Sequence, residues 1–402
     1  MAAPGTVKSF RGQLGAPTEY RVSRSPAHVR GTLSMNVLHL ITAIPPNVRE
    51  GSGCYVGVRT LAQALRRFGI HVEMVTPGIA VPIYTARRIL FNEGLRWRTF
   101  RGDATIGIDV DGYSVAGKQN SPPHVACIKG VLGDAVRFER GATRASMAFQ
   151  AQLEARHAQR ADLVITISRY CAERLEELYR VKNATVVPEL IDLEFWRRMF
   201  LSNPAAPDPR KFTVLSVCRF YPRKRMEILL RAASRLRDNI RQLEIRIVGD
   251  GPENRRLRTL CNELDLGSIV QWLGDIPINR LAEEYNRAHV FCLPSVQEGF
   301  GIVFLEAMAA GKPIVAARAA AVPEVVHHGI LVEPEDSDAL AEGILKLYRD
   351  PDLCHSLGAA GSSTVEQFEM NRIAGKFLSE VAKVAPTLKK PESCQECEPI
   401  RR

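Results

Sequence analysis

Nowhere in this 402-residue chain do eighteen apolar residues run together, so no transmembrane helix is expected. The N-terminus lacks an apolar signal core followed by a cleavage site, so export is not expected and the cytoplasm is the expected compartment. The nine cysteines are scattered, and only Cys394 and Cys397 form a CxxC pair. No second pair follows, and a zinc site needs four ligands, so neither a metal nor redox chemistry is expected. Cys127, Cys218 and Cys292 lie inside apolar runs, as buried thiols do. Zinc-finger, RRM and KH signatures are missing, which argues against a nucleic-acid partner in spite of the net charge of +10. Acidic residues run short in one half only. Residues 1–200 carry 27 Lys+Arg against 17 Asp+Glu, and residues 201–402 carry 27 against 27. A basic first half suits an anionic lipid surface or an acidic acceptor, so peripheral membrane contact is an expectation there.

What is present reads as two successive α/β series. Residues 1–34 mix Gly, Pro, Ser and Arg without apolar periodicity and are expected to be a disordered arm. From residue 35, a short apolar run (Asn36 to Ala43) predicts a buried parallel strand. A Pro- and Gly-containing loop, Pro45 to Gly53, follows, then a helix marked by Val58, Leu61, Leu65 and Phe68 and ended by Gly69. Strand-like runs recur at 72–75, 105–110, 125–128 and 163–167, with Ser168 a helix N-cap. Between 84 and 101, Arg alternates with Ile, Leu, Phe and Trp at helical spacing. The expected packing puts Ile89, Leu90 and Leu95 on the sheet; the alternative is a basic amphipathic membrane surface. His124, after two prolines, reads as a loop residue. Three prolines at 201–210 mark a linker between a domain over 35–200 and a second over 211–365. A helix over 366–386 and a polar tail, 387–402, complete the chain. The fold class expected is α/β, two Rossmann-like domains facing each other across a cleft.

Chemistry concentrates in the second series. A strand ending at Leu293 leads into a loop with Glu298 and Gly299-Phe300-Gly301, which lets backbone approach a ligand closely. A helix then carries Glu306. Eight helical steps from Glu298 to Glu306 would span about 12 Å, the scale of a diphosphate with a sugar at one end and a ribose at the other. The helix N-terminus between them offers free N–H groups to phosphate. Arg219 and Lys224 follow the strand VLSVC, at the carboxyl end where such folds bind ligands. Arg grips phosphate bidentately and Lys adds a compact charge, so the pair would offset charge on a leaving diphosphate.

These residues carry a resemblance. Val214 to Lys383 resembles the donor half of the retaining GT-B glycosyltransferases of glycosyltransferase family 4, through the E-x7-E motif at Glu298 and Glu306, the Arg/Lys pair at Arg219 and Lys224, VGDGP at 248–252, WLGDIP at 272–277 and LVEPEDSDALAEGI at 331–344. The first half resembles the family more loosely, through the Gly51–Gly53 loop, RRFGIHVEMVTPG and ADLVITIS. The resemblance implies a hexose transferred with retention from a nucleoside-diphosphate sugar to a hydroxyl acceptor, and no bound metal or cofactor. Glu298 would hold the donor sugar and Glu306 the ribose. Arg219, Lys224 and the N–H groups of Phe300 and Gly301, next to Gly299, would hold the diphosphate, with Gly53 approaching from the first domain. The 366–386 helix would cross back to that domain.

Three departures bear on sugar and acceptor choice. Lys129 stands where relatives often have His, Pro188-Glu189-Leu190-Ile191-Asp192 replaces PNGVD, and Ala320-Ala321 replaces Gly-Gly. Lys129, Asp109 and Asp111 are the candidate sugar or acceptor contacts of the first domain. An epimerase of the same fold, acting on a nucleotide-sugar without an acceptor, and a non-catalytic basic binding protein are the alternative readings.

Overall fold

The computed structural model describes residues 36–46, 48–78, 81 and 83–388. The readings for residues 1–34 and for the Cys394/Cys397 tail lie outside the described residues.

The first six strands are β1 (Val37–Ile41), β2 (His71–Val75), β3 (Ala104–Ile108), β4 (His124–Ile128), β5 (Leu163–Thr166) and β6 (Thr185–Val186). They form one sheet in the order β2-β1-β3-β4-β5-β6. The next six are β7 (Phe212–Val217), β8 (Leu243–Val248), β9 (Val270–Gly274), β10 (Val290–Leu293), β11 (Ile314–Ala317) and β12 (Ile330–Val332), in the order β12-β11-β10-β7-β8-β9. Every pairing is parallel. Parallel sheets need crossover helices on both faces, and the burial follows: every residue of β3, β4, β7, β8, β10 and β11 is buried. That is why most of these segments read as continuous apolar runs; β8 alternates, with Glu244 and Arg246 buried in ion pairs.

The described residues hold together as one unit. The helix Met370–Val381 returns to the first sheet, where Ile373, Phe377 and Val381 share a core with Leu61, Leu65, Ile106 and Val125. A bridge between Ile191 and Glu369 and an N-cap from Glu369 start that helix, so the expected continuous 366–386 helix is broken at Glu369 after a 3-10 turn, Val365–Phe368. On the other side, the helix Leu193–Ser202 packs against Ile278–Arg287, with Trp196 edge-on to Tyr285 at 5.9 Å.

Several local readings change. The segment expected as a loop up to Gly53 is helical from Val48, in the helix Val48–Arg67. The helix that begins at Tyr84 ends at Gly94, followed by a 3-10 turn, Leu95–Trp97. Its inward face is also different: Arg88 and Asn92 are buried, while Leu90 is 58% exposed. The buried polar pair meets Asp111, which no run of local sequence announces. His124 is not a loop residue; it opens β4 and is 1% exposed.

Candidate active site

The carboxyl ends of the two sheets face a shared cavity of about 780 Å³. Its second-sheet wall begins where β7 ends. The chain passes Cys218 and Arg219, then makes a 3-10 turn over Pro222–Lys224, and Arg225 takes a left-handed conformation (φ 49°) to start the helix Met226–Leu236. This short path puts Arg219, Arg223 and Lys224 on one wall. Arg219 donates from Nη1 to Asp275 at 3.0 and 3.3 Å, while its Nε is buried without a partner. Arg223 lies over the Tyr221 ring at 4.7 Å. Lys224 Nζ donates to Glu298 Oε1, so the acid and the base picked from sequence meet side chain to side chain.

Glu298 is buried in the loop after β10, and the helix begins only at Ile302. Eight helical steps therefore do not separate it from Glu306. Gly299 and Gly301 are each required. A Cβ on Gly299 would stand 2.8 Å from the Lys129 carbonyl oxygen, the point where the two walls touch. Gly301 has φ 91°, and its Cβ would meet the Phe304 ring at 2.5 Å. The Phe300 side chain meets Phe368 edge-on at 5.5 Å. Glu306 is placed differently from Glu298. It does not line the cavity; Tyr285 Oη donates to it at 2.8 Å, and burial raises its carboxyl to about pKa 7.

The first-sheet wall is assembled from distant segments. Gly53, solvent-exposed within its helix, and Cys54 lie beside Tyr84, Arg88, Asp109, Lys129, Gln150 and Glu189. Lys129 Nζ donates to Glu189 Oε1 at 2.7 Å, with both side chains under 5% exposed. Burial opposes the Lys129 charge, but the Glu189 carboxylate outweighs it and holds the ammonium above its ordinary range. Glu189 Oε2 is buried without a partner. Asp109 takes φ 53° and accepts from the Lys129 N–H at 2.7 Å and from Cys54 Sγ at 3.4 Å. Burial raises its pKa, against the pull of Arg88.

Beneath Asp109 runs a hydrogen-bonded relay of two buried histidines. His124 and His157 share an Nε2···Nε2 contact of 2.8 Å, His157 Nδ1 meets the Asp109 carbonyl at 2.5 Å, and His124 Nδ1 meets Thr105 Oγ1 at 2.8 Å. Desolvation lowers both histidines, His157 to about 4, so they are neutral and act as rigid donors and acceptors. The carbonyl can only accept, so His157 carries its proton on Nδ1 and His124 supplies the shared one.

Asp111, expected at the cleft, is instead fully buried outside the cavity lining. It accepts from Arg88 Nε at 2.8 Å, Asn92 Nδ2 at 3.0 Å and the Ala43 N–H at 2.7 Å. Its work is to fix Arg88 in the wall. Sequence reasoning passed over Arg88, Gln150 and Arg223, and met Glu189 only within the Pro188–Asp192 departure. Arg223 sits between Arg219 and Lys224, and Glu189 follows a strand end, the usual ligand edge. Gln150 lies on the helix Gly141–Arg160, whose many alanines leave no apolar stripe to mark it.

Comparison with known proteins agrees with this architecture. A GDP-mannose-dependent alpha-(1-6)-phosphatidylinositol monomannoside mannosyltransferase of Mycobacterium tuberculosis is 33% identical over 176 residues, 41% of this chain and 46% of its own length. The chain thus spans about half the length of the curated mannosyltransferases it matches. Sucrose-phosphate synthase from Thermosynechococcus elongatus superposes with a TM-score of 0.73 at 23% identity, covering 88% of this chain and all of that one (100%). Anabaena HepE, solved with UDP and glucose, superposes with a TM-score of 0.63 at 18% identity, over 86% and 99% of the two chains. At those identities the structures speak for the fold, which is GT-B. Residues 199–364 match the glycosyl transferases group 1. That stretch holds Arg219, Lys224, Glu298 and Glu306, so the part of the chain that is similar to this family carries the second-sheet wall of the cavity.

Proposed function

We propose that the chain transfers a hexose, with retention of anomeric configuration, from a nucleoside-diphosphate sugar to a hydroxyl acceptor. One observation carries the reading: Arg219, Arg223 and Lys224 share a cavity wall with Glu298 and the Gly299–Gly301 turn, directly opposite a second wall from the other sheet. The three cations and the N–H groups of Phe300 and Gly301 hold the diphosphate. Glu298 holds sugar hydroxyls, and Lys224 bridges it to the phosphate. As the bond from the anomeric carbon to the diphosphate breaks, the acceptor oxygen bonds to that carbon on the same face. The departing phosphate oxygen takes the acceptor proton. The cations supply the charge stabilisation that a metal provides elsewhere, so chelators leave the rate unchanged. Asp109, Lys129 and Glu189 form the acceptor side.

The names of similar proteins set the first donors to try, GDP-mannose and UDP-hexoses, and a lipid-linked acceptor. Peripheral membrane contact fits the outer stripe Ile83, Arg87, Leu90 and Trp97, in which Ile83 is 68% and Trp97 is 89% exposed. Co-sedimentation with anionic vesicles, lost in Trp97→Ser, checks that point.

The main test is thermal stabilisation by a donor panel. One sugar nucleotide should stabilise the wild type by about 2.7 kcal/mol at a hundredfold excess over its dissociation constant. Arg219→Ala/Lys224→Ala should abolish the shift. If no donor stabilises the wild type, the cavity is not a nucleotide-sugar site.

A further inference from the structure

The amino ends of β7, β8, β10 and β11 frame a second cavity of about 710 Å³, lined by Phe212, Gln242, His289 and Pro313. Because the strands are parallel, this is the opposite edge of the sheet from Arg219 and Glu298. Six basic side chains line it: Arg210, Lys211, Arg241, His289, Lys312 and His355. Among the described residues, no Asp or Glu does. Residues 201–402 balance 27 Lys+Arg with 27 Asp+Glu, so the excess is local and not the drift of a basic domain.

Two of the six are already offset, Arg210 by Asp208 at 3.0 Å and Lys211 by Glu244 at 2.9 Å. The Arg241 and His355 side chains lie at the rim, exposed. His289 Nδ1 accepts the Thr213 N–H at 3.0 Å, so its Nε2 carries the proton and is a donor. The ring stacks on Phe212 at 5.3 Å. Lys312 is partly buried, and its ammonium, with three N–H groups to place, donates to the Asn286 carbonyl at 3.0 Å. Burial brings its pKa down to about 8.

We propose that this cavity is a second anion site, which takes a small phosphorylated molecule between Lys312 at its floor and Arg241 at its rim. Its volume lies in the range of small-molecule sites. Phosphate oxygens would accept from the Lys312 ammonium, and the guanidinium of Arg241 would bind them bidentately. Arg210 comes from the linker, and Lys211 and Lys312 from just ahead of strands in the second sheet, so the occupant bridges the two. The inference does not depend on what binds between the sheets.

The test is titration calorimetry of pyrophosphate into the full chain carrying Arg219→Ala/Lys224→Ala, which disables the anion-binding wall of the other cavity. Saturable binding should persist in that protein. Adding Arg241→Glu, at an exposed position that leaves the core untouched, should weaken it at least tenfold, and Lys312→Met should do the same. Absence of saturable binding, or binding indifferent to Arg241→Glu, overturns the proposal.

Discussion

The two walls of the cavity between the sheets are built by different means. The second-sheet wall draws its charged groups from two short stretches, Arg219 to Lys224 and Gln297 to Val303, and each reaches its place by a single tight turn. The first-sheet wall gathers Cys54, Arg88, Asp109, Lys129, Gln150 and Glu189 from six separate segments. There the charges are held in the pairs Arg88–Asp111 and Lys129–Glu189, which are more deeply buried than Arg219–Asp275 and Lys224–Glu298 of the other wall. A wall made by local turns puts its free energy into backbone geometry. A wall made by long-range ion pairs puts it into desolvated charges, which are costly when one partner is lost.

That contrast gives the largest expected effect. Asp111→Ala leaves the Arg88 guanidinium buried without its counter-charge and should destabilise the protein by about 3–5 kcal/mol. Chemical denaturation measures it. The double substitution Arg88→Met/Asp111→Ala should recover much of the loss, because no buried charge then remains unpaired. Equal losses in the single and double variants would show that the pair matters through packing alone.

On the other wall the expected effect is catalytic. Glu298→Gln keeps the shape of the loop and should lower turnover by about 10²–10³-fold, the scale seen when one stabilising group leaves a transition state. Its denaturation midpoint should stay near that of wild type. Near-normal turnover would remove Glu298 from the sugar site, whereas a large fall in stability would make it a structural acid and erase the contrast between the walls.

The same contrast explains what the sequence made legible. Strands Leu243–Val248 and Val290–Leu293 and the helix Met226–Leu236 are readable to the residue, because buried parallel strands and one-faced helices leave local patterns. Arg219, Lys224, Glu298 and the glycine turn stand out because their spacing is local. Asp111 looked like a cleft residue because it follows a strand end. Its partners, Arg88 and Asn92, lie about twenty residues earlier on a helix, and only the fold brings them together. His124 and His157 are 33 residues apart and carry no spacing signal. Glu306 was legible as a residue but not in its orientation. Tyr285, the residue that turns it, comes from a neighbouring helix.

Glu306 gives a smaller effect, on the pH dependence of stability. Burial raises its folded pKa to about 7 from an ordinary value of 4.5. The folded state then binds more protons than the unfolded chain between those values, so this group's stabilising contribution is full below about pH 4.5 and is lost as pH rises toward 7. Glu306→Gln removes the titration. The stability difference between the variant and wild type should change across pH 4.5–7 and be flat above 8. A difference that is flat throughout would mean that the carboxylate stays ionised, reached by solvent or a ribose rather than buried.

The smallest expected effect tests the face of one helix. Apolar spacing turns Ile89, Leu90 and Leu95 inward, whereas the structure leaves Leu90 58% exposed and buries Leu95 to 4%. Arg88 and Asn92 take the inward positions because Asp111 supplies their hydrogen bonds. Leu90→Ser should therefore change stability by no more than about 0.5 kcal/mol, as surface substitutions do. Leu95→Ala should cost about 2–5 kcal/mol, as truncations in a core do. If the two costs came out reversed, the helix would be rotated about its axis. Arg88 would then leave the cavity wall, and the ion pair on which the first-sheet wall depends would not exist.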